Sequence, residues 1–275
     1  MIKTQNMRLS ITLFSLTIIF NVYAQDFPIS EKDPVVTELY KDVPIVTPGK
    51  GTSAPSDAMV LFDGKNLDQW QKAQFGSPND MEGFEVMIPK TDPNFKGMKA
   101  GWTIKNNELE VLSGAGSIAT KKALGDIQLH VEWTAPIMPA DKKGQGGGNS
   151  GIIFMGMYEV QVLNSFENTT YSNGQASAIY KQVIPLVNAS RPPEQWQSYD
   201  IIFMSPKFSD KGTLVSPARV TVFHNGVLTQ NNVALIGPTC YRGTSYYIAH
   251  PSKLPLVIQD HGDLMRFRNI WVREL

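Results

Sequence analysis

The chain lacks several features that would assign it to a common functional class. It has one cysteine, Cys240, in 275 residues, so no disulfide can form within the chain, and a buried core must supply its stability. No Cys/His signature surrounds Cys240, which we interpret as a structural thiol. Lysine plus arginine number 25, as do aspartate plus glutamate, so the chain offers no general basic field to nucleic acid.

Sustained helical periodicity is also missing, as are long apolar runs beyond the N-terminus. Nothing after residue 24 is apolar for long enough to cross a bilayer. Instead, short segments rich in Val, Ile, Phe, Tyr and Trp alternate with turn signals such as Asn225-Gly226. This pattern predicts an all-β fold, a two-sheet antiparallel jelly-roll sandwich. The long irregular segments 75–101 and 164–196 are expected to wall a concave cleft on it.

The first 24 residues have the pattern of a secretory signal peptide. Lys3 and Arg8 begin it, residues 11–20 form an apolar run that is short for a membrane span, and Ala24 ends a suitable cleavage site. An uncleaved membrane anchor is the alternative. No cysteine stands directly after the run, so a lipoprotein anchor is not indicated. We therefore expect a periplasmic or secreted protein with no membrane contact after cleavage.

The expected domain layout follows from the distribution of proline. Residues 25–56 contain many prolines and few apolar clusters, which predicts an extended leader. Strand-like patterns begin near residue 57. We therefore expect one folded domain over residues 57–275.

Residues 144–165 combine a glycine-rich loop with two strands that carry unexpected polar side chains. The predicted strands 150–155 and 158–163 are joined by Gly156-Met157, which suits a two-residue turn. In the resulting register, one face carries Ser150, Ile152, Phe154, Glu159, Gln161 and Leu163. A carboxylate and an amide beside apolar surface suit a sugar, whose hydroxyls need hydrogen-bond partners. The alternative is a solvated outer sheet face.

Other candidate groups lie elsewhere in the chain. Gln259-Asp260-His261-Gly262 ends an apolar strand, which indicates acid/base or metal chemistry; alternatively, Asp260 caps backbone amides in a turn. His130 and Glu132 share a polar strand face and would line the same cleft if their strand abuts that of Glu159. The predicted substrate-binding residues are Gln161, Glu132, His130, Ser150, Asn149, Tyr180, Gln259 and Arg268.

A standard retaining glycosidase needs a pair of carboxylates. On the strand of Glu159, the positions that would carry the second acid hold Gln161 and Leu163. Glu132 or Asp260 is the remaining source of a second carboxylate. Without a pair on one strand, the standard retaining mechanism is disfavoured.

Six segments, in the same order along the chain, resemble the 3-keto-disaccharide hydrolase family. They read LFDGKNLDQW, GWTIKNNELEV, GQGGGNSGIIFMGMYEVQVLNSF, PLVNASRPPEQWQSYDIIF, ARVTVFHNGVL and LVIQDHGDLMRFRNIWVREL. The resemblance implies a concanavalin A-like lectin/glucanase sandwich and an exported bacterial enzyme that cleaves glycosides oxidised to a ketone at sugar C3. One departure is visible, because the family often has Asp where this chain has Asn164.

A ketone at C3 would explain the missing carboxylate pair, because it makes the C2 proton acidic. A base gives an enolate, the C1 substituent leaves by elimination, and added water makes the net result a hydrolysis. This chemistry needs one base and one group that stabilises the enolate oxygen. We predict Glu159 or His261 as the base, with Gln161, Arg268 or a divalent metal ion near Asp260 as the stabiliser.

Two other functions remain open for the same cleft. A non-catalytic, lectin-like carbohydrate-binding module would use the same amides and aromatic rings. An ordinary glycosidase would act on unmodified glycans. An oligosaccharide or glycoside is the expected partner in each case, and no cofactor beyond the candidate metal ion is indicated.

Overall fold

The computed structural model describes residues 34–73 and 98–275. Residue contacts divide the chain into two units, one ending at Ile45 and the other spanning Val46–Leu275. In the first unit, the described residues include a 3₁₀ turn at Pro34–Thr37. The predicted signal peptide and most of the predicted cleft-wall segment 75–101 lie outside the described residues. No helix in the described part of the chain is long and apolar enough to span a membrane.

The second unit is built almost entirely from short β-strands. Within its described residues the strands are β1 (Met59–Phe62), β2 (Trp70–Lys72), β3 (Thr103–Lys105), β4 (Glu108–Glu110), β5 (Ile118–Leu124), β6 (Ile127–Thr134), β7 (Asn149–Phe154), β8 (Tyr158–Leu163), β9 (Gln197–Met204), β10 (Lys207–Phe208), β11 (Leu214–Ser216), β12 (Arg219–His224), β13 (Val227–Ala234), β14 (Leu254–Ile258) and β15 (Arg266–Glu274).

Two antiparallel sheets form the sandwich. The large sheet has the order β13-β12-β9-β6-β15-β4-β3, and β1 also pairs with β15. The small sheet has the order β2-β5-β14-β7-β8, and β10 pairs with β11 in a separate ribbon. Every strand of the small sheet pairs antiparallel with its neighbours. The predicted all-β, two-sheet antiparallel architecture is confirmed.

The main core lies between the two sheets. As the alternation of β6 predicts, Ile127, Leu129, Val131 and Trp133 are buried there. The inner face of β8 supplies Tyr158, Val160 and Val162 from the opposite sheet. Rings join the sheets directly, since Phe154 stacks on Phe203 with centroids 4.6 Å apart. Because one face of each strand packs in this core, only the opposite face is available for a binding site.

The β7–β8 hairpin differs from the predicted one by one residue. Phe154 pairs with Tyr158 and Ile153 pairs with Glu159, so the connection contains three residues and the predicted two-residue turn is wrong. The reason is Met155, which takes a φ of 56° before Gly156 at 67°, a conformation that sequence patterns assign to glycine. The shift leaves the faces of β8 as predicted and inverts those of β7.

The chain after β8 returns along the outer edge of that strand. The Gln161 backbone amide donates to the Ala178 carbonyl at 2.9 Å, and the Ser177 backbone amide donates to the Gln161 backbone carbonyl at 2.9 Å. The Tyr180 amide then donates to the Glu159 carbonyl at 3.2 Å. This returning segment places Tyr180 beside Glu159.

Candidate active site

A cavity of about 330 Å³ lies on the face of the small sheet that is turned away from the main core. Its volume is at the lower end of the range for small-molecule sites. Strands β7 and β8 supply its floor, and the chain segments before β7 and after β8, β13 and β14 supply its walls. The lining residues are Gln145, Asn149, Ile153, Met157, Glu159, Gln161, Tyr171, Tyr180, Lys181, Thr239, Tyr241, Gln259 and His261.

Glu159 lies on the floor and is buried, with 6% of its surface exposed. Its backbone amide donates to the Thr239 hydroxyl at 2.9 Å. On the neighbouring strand, a Cβ atom added to Gly151 would lie 2.6 Å from Glu159 Oε1. The glycine therefore leaves the space that this carboxylate occupies.

A network of side-chain amides surrounds the carboxylate. With its nitrogen turned toward Glu159, the Gln161 amide donates to Glu159 Oε1 at 3.0 Å and to the Ser150 carbonyl at 2.9 Å. Gln145 Nε2 donates to the Gly174 carbonyl at 2.7 Å, and Asn149 Nδ2 donates to the Gln145 carbonyl at 2.8 Å. These bonds hold polar groups in fixed directions around the floor.

Two carboxylates near the end of β14 organise the neighbouring loops. Asp263 Oδ2 accepts from the backbone amides of Gly148 at 3.1 Å and Asn149 at 2.8 Å. Asp260 Oδ2 accepts from the amides of Gly114 and Gly116. These bonds anchor the turn that carries His261 at the exposed rim of the cavity. The position of His261 therefore depends on a loop far away in sequence.

The capping role of Asp260 bears on the candidate metal ion. Its second carboxylate oxygen, Oδ1, accepts from the Gly262 amide at 2.9 Å, so backbone amides engage both oxygens. Among residues 34–73 and 98–275, no three His, Cys, Asp or Glu side chains come close enough together to hold a metal ion. The described residues around Asp260 do not fit a metal site, and they match the capping alternative.

Tyrosine rings and one ammonium group form one wall of the cavity. The hydroxyls of Tyr171 and Tyr180 are 2.7 Å apart. Lys181 Nζ lies 4.3 Å from the centroid of the Tyr171 ring and 5.3 Å from that of Tyr241. Burial raises the pKa of Tyr180, and the hydrogen bond with Tyr171 and the negative charge of Glu159 raise it further. Both hydroxyls therefore stay protonated as hydrogen-bond donors.

The structure brings together six of the predicted site residues. Asn149, Glu159, Gln161, Tyr180, Gln259 and His261 all line the cavity. Ser150 does not, because the inverted β7 turns its side chain toward the core, where Oγ donates to the Gln259 carbonyl at 2.7 Å. The prediction that Ser150 binds substrate is therefore corrected by the hairpin register.

His130, Glu132 and Arg268 are placed on the other sheet, so the prediction that they line this cleft is wrong. Strand β6 pairs with β9 and β15 in the large sheet, not with β8. There Glu132 accepts from Arg268 Nε at 2.6 Å, and the Thr52 hydroxyl donates to it at 2.9 Å. Alternation along β6 identified the polar face correctly, but it carries no information about which strand is adjacent.

His130 makes the stability of the polar group formed by His130, Glu132 and Arg268 on the large sheet dependent on pH. Its Nδ1 lies 2.7 Å from Asp200 Oδ1 and its Nε2 lies 3.7 Å from Glu132 Oε1. Burial alone would lower the pKa of His130, but the hydrogen bond to Asp200 and the negative charges of Asp200 and Glu132 outweigh burial and raise the pKa to about 9. The folded state therefore binds this proton more tightly than the unfolded state does.

We expect His130→Gln to lose more stability where His130 is protonated in the wild type than where it is neutral. The imidazolium contribution is complete below the unfolded pKa of about 6.5 and is lost as pH rises through about 9. The difference in unfolding free energy between wild type and variant should therefore shrink from pH 6 to pH 10, by a few kcal/mol at most. Denaturant titrations at both pH values measure it. An equal difference at the two pH values would contradict this linkage.

Asn164, the visible departure from the resemblance noted in the sequence, is not among the residues that line the cavity. Its Oδ1 accepts from the Phe166 amide at 3.3 Å, and its backbone amide donates to the Gly148 carbonyl. The substitution therefore leaves the acid and base groups of the cavity in place.

Besides the apolar Ile153 and Met157, four polar lining residues were not predicted from the sequence: Gln145, Lys181, Thr239 and Tyr241. They come from loops, where no alternation pattern indicates direction. Lys181 shows one local sign of constraint in the structure, a φ of 62° that is uncommon for a residue with a side chain.

Comparison with known proteins identifies relatives of the chain. The sequence profile of the 3-keto-alpha-glucoside-1,2-lyase-like domain matches residues 57–273. A candidate glycosyl hydrolase from Parabacteroides distasonis has a solved structure that is similar at 39% identity and a TM-score of 0.76, covering 88% of this chain and 97% of that one. A second candidate glycosyl hydrolase from that organism, at 17% identity and a TM-score of 0.53, covers 80% and 94% and supports the fold alone. No curated protein sequence matched the chain.

Proposed function

Because the chain belongs to the family of 3-keto-alpha-glucoside-1,2-lyase-like domains, we propose that it cleaves the glycosidic bond of sugars carrying a ketone at C3. The family and the 39% identical structure make it a carbohydrate-active protein. The cavity supplies what a sugar ring requires, with amide groups for hydroxyls and tyrosine rings for C–H surface.

The observation that carries the proposal is the number of carboxylates in the cavity. Among the described lining residues, Glu159 is the sole carboxylic acid. Glycosidases of the retaining and inverting types use two flanking carboxyl groups, about 5 to 9.5 Å apart. Asp260 is committed to backbone amides. One carboxylate suits elimination from a keto-sugar, which needs a single base.

In this mechanism Glu159 removes the proton from C2 of the bound 3-keto-sugar. The electron pair of the C2–H bond forms the enolate, with negative charge on the C3 oxygen. The imidazole of His261 lines the same cavity and would donate an N–H to that oxygen. The enolate then collapses, the C1–O bond breaks, and the aglycone leaves from an unsaturated keto-sugar. Addition of water to that product gives net hydrolysis.

Substrate comparison tests the proposal. Wild-type protein is expected to release the aglycone from a 3-keto-glucoside and to leave the unoxidised parent glucoside intact, because only the ketone acidifies C2. Chromatography of both reactions measures release. Equal cleavage of the two substrates would establish an ordinary glycosidase. Saturable binding in calorimetry without release would establish a lectin-like module.

We also propose that the protein is exported to the periplasm or secreted. Support comes from the signal-like pattern of residues 1–24, which lie outside the described residues. N-terminal sequencing of the protein recovered from the host should begin at Gln25, and recovery of the uncleaved chain in the membrane fraction would instead establish an anchor.

A further inference from the structure

We propose that Tyr180, coupled to Tyr171, is the acid that protonates the oxygen leaving C1. This assignment rests on the proposed function, which supplies a base for C2 but leaves the departing alkoxide without a proton donor. An alkoxide is a poor leaving group unless it is protonated as the C1–O bond breaks. Tyr180 provides an O–H group on the wall beside the base.

The backbone places the two proton-transfer residues side by side. The Tyr180 amide donates to the carbonyl of Glu159 itself at 3.2 Å. Their side chains line the same cavity, and the negative charge of Glu159 is close enough to raise the pKa of both Tyr171 and Tyr180. Base and acid are therefore held close together on neighbouring backbone segments.

Tyr171 connects the acid to solvent. Its hydroxyl is 2.7 Å from that of Tyr180, and 38% of its surface is exposed. Its ring is seated against Gly174, where an added Cβ would lie 2.1 Å from a ring carbon. The pair thus forms a fixed two-hydroxyl path from the cavity to bulk water.

The step balances in protons and electrons. Glu159 accepts the C2 proton, and the C2–H electron pair ends in the new C1–C2 double bond as the C1–O bond breaks. The leaving oxygen takes the bonding pair and receives the Tyr180 hydroxyl proton. Water reprotonates the tyrosine pair through Tyr171, and Glu159 returns its proton to solvent.

Lys181 compensates the charge that forms on the wall. After proton transfer, the tyrosine pair carries a phenolate charge, and the Lys181 ammonium lies 4.3 Å from the centroid of the Tyr171 ring. It acts through the tyrosines and is a positioning residue. A cation at this distance stabilises negative charge in a partly desolvated wall.

Leaving-group dependence tests the assignment. Tyr180→Phe should lower kcat/KM on methyl 3-keto-glucoside roughly tenfold or more, because an alkoxide needs the proton. The same variant should retain wild-type activity within about threefold on 4-nitrophenyl 3-keto-glucoside, since 4-nitrophenolate leaves without protonation. Tyr171→Phe should show the same pattern more weakly.

Tyr40→Phe, which removes the same atom from an exposed tyrosine in the other unit, should match wild type on both substrates.

The outcomes separate this inference from the proposed function. Wild-type protein inactive on both keto-substrates would overturn the proposed function. Active wild type with Tyr180→Phe impaired equally on both substrates, or on neither, would overturn the acid assignment alone. Circular dichroism and thermal melting of each variant show whether an equal loss comes from misfolding, and in that case the Tyr171→Phe substrate ratio decides. Lys181→Met should increase the ratio of kcat/KM on the 4-nitrophenyl substrate to kcat/KM on the methyl substrate. Lys181→Arg should return that ratio to the wild-type value.

Discussion

Glu159→Gln is expected to lower kcat on a 3-keto-glucoside by roughly 10³-fold, within the range that a positioned proton-transfer group contributes. Glutamine has the same shape but cannot accept the C2 proton. The neighbours of the carboxylate, the Gly151 gap and the Gln161 amide, accommodate an amide without rearrangement. Steady-state assays of aglycone release measure the loss.

A matched substitution controls for the change of charge. Glu167→Gln removes the same carboxylate from an exposed position that does not line the cavity, and it should leave kcat and KM unchanged. His261→Ala decides between the two candidate bases. If His261→Ala abolishes turnover while Glu159→Gln retains it, the base is His261. Wild-type rates in both folded variants would show that neither residue is the base.

Gly151→Ala is expected to lower kcat/KM on the same substrate by about 10²-fold. The new methyl group would start 2.6 Å from Glu159 Oε1, so the carboxylate must move. A displacement of about 1 Å at a reacting group can cost this much. The strand itself should persist, because the φ angle of Gly151 is not in the left-handed region. Kinetics and thermal unfolding of the variant measure the two effects separately.

A double substitution shows whether the loss comes from the carboxylate. Glu159→Asp shortens the side chain by one methylene and withdraws the oxygen from the added methyl. Activity of Gly151→Ala/Glu159→Asp should therefore exceed the product of the two single effects. Strictly multiplicative losses would mean that the alanine acts elsewhere in the hairpin.

The sequence predicted β8 correctly because alternation depends only on local burial. Glu159 and Gln161 do share the face opposite Tyr158, Val160 and Val162, as period-two patterning requires. The face of β7 could not be obtained in the same way, since it depends on the turn. Met155 in the left-handed region moved the register by one residue, and no propensity rule favours methionine there.

Residues brought in by long-range pairing were harder to predict. His130 and Glu132 are polar side chains on one face of β6, as predicted. Strand order decides which sheet that face belongs to, and β6 lies between β9 and β15 in the large sheet. Lys181 posed the opposite problem, because it reaches the cavity only when the segment after β8 folds back along that strand. Loop residues have no periodicity from which a direction follows.

The returning segment along β8 also constrains how the protein can open and close. The Tyr180 backbone amide donates to the Glu159 carbonyl. These two residues therefore cannot separate when a sugar enters or leaves unless backbone hydrogen bonds break. We therefore expect any movement that admits a sugar to occur at the rim of the cavity. The same returning segment covers the β8 edge of the small sheet, so the backbone groups of that edge are not free to pair with a foreign strand.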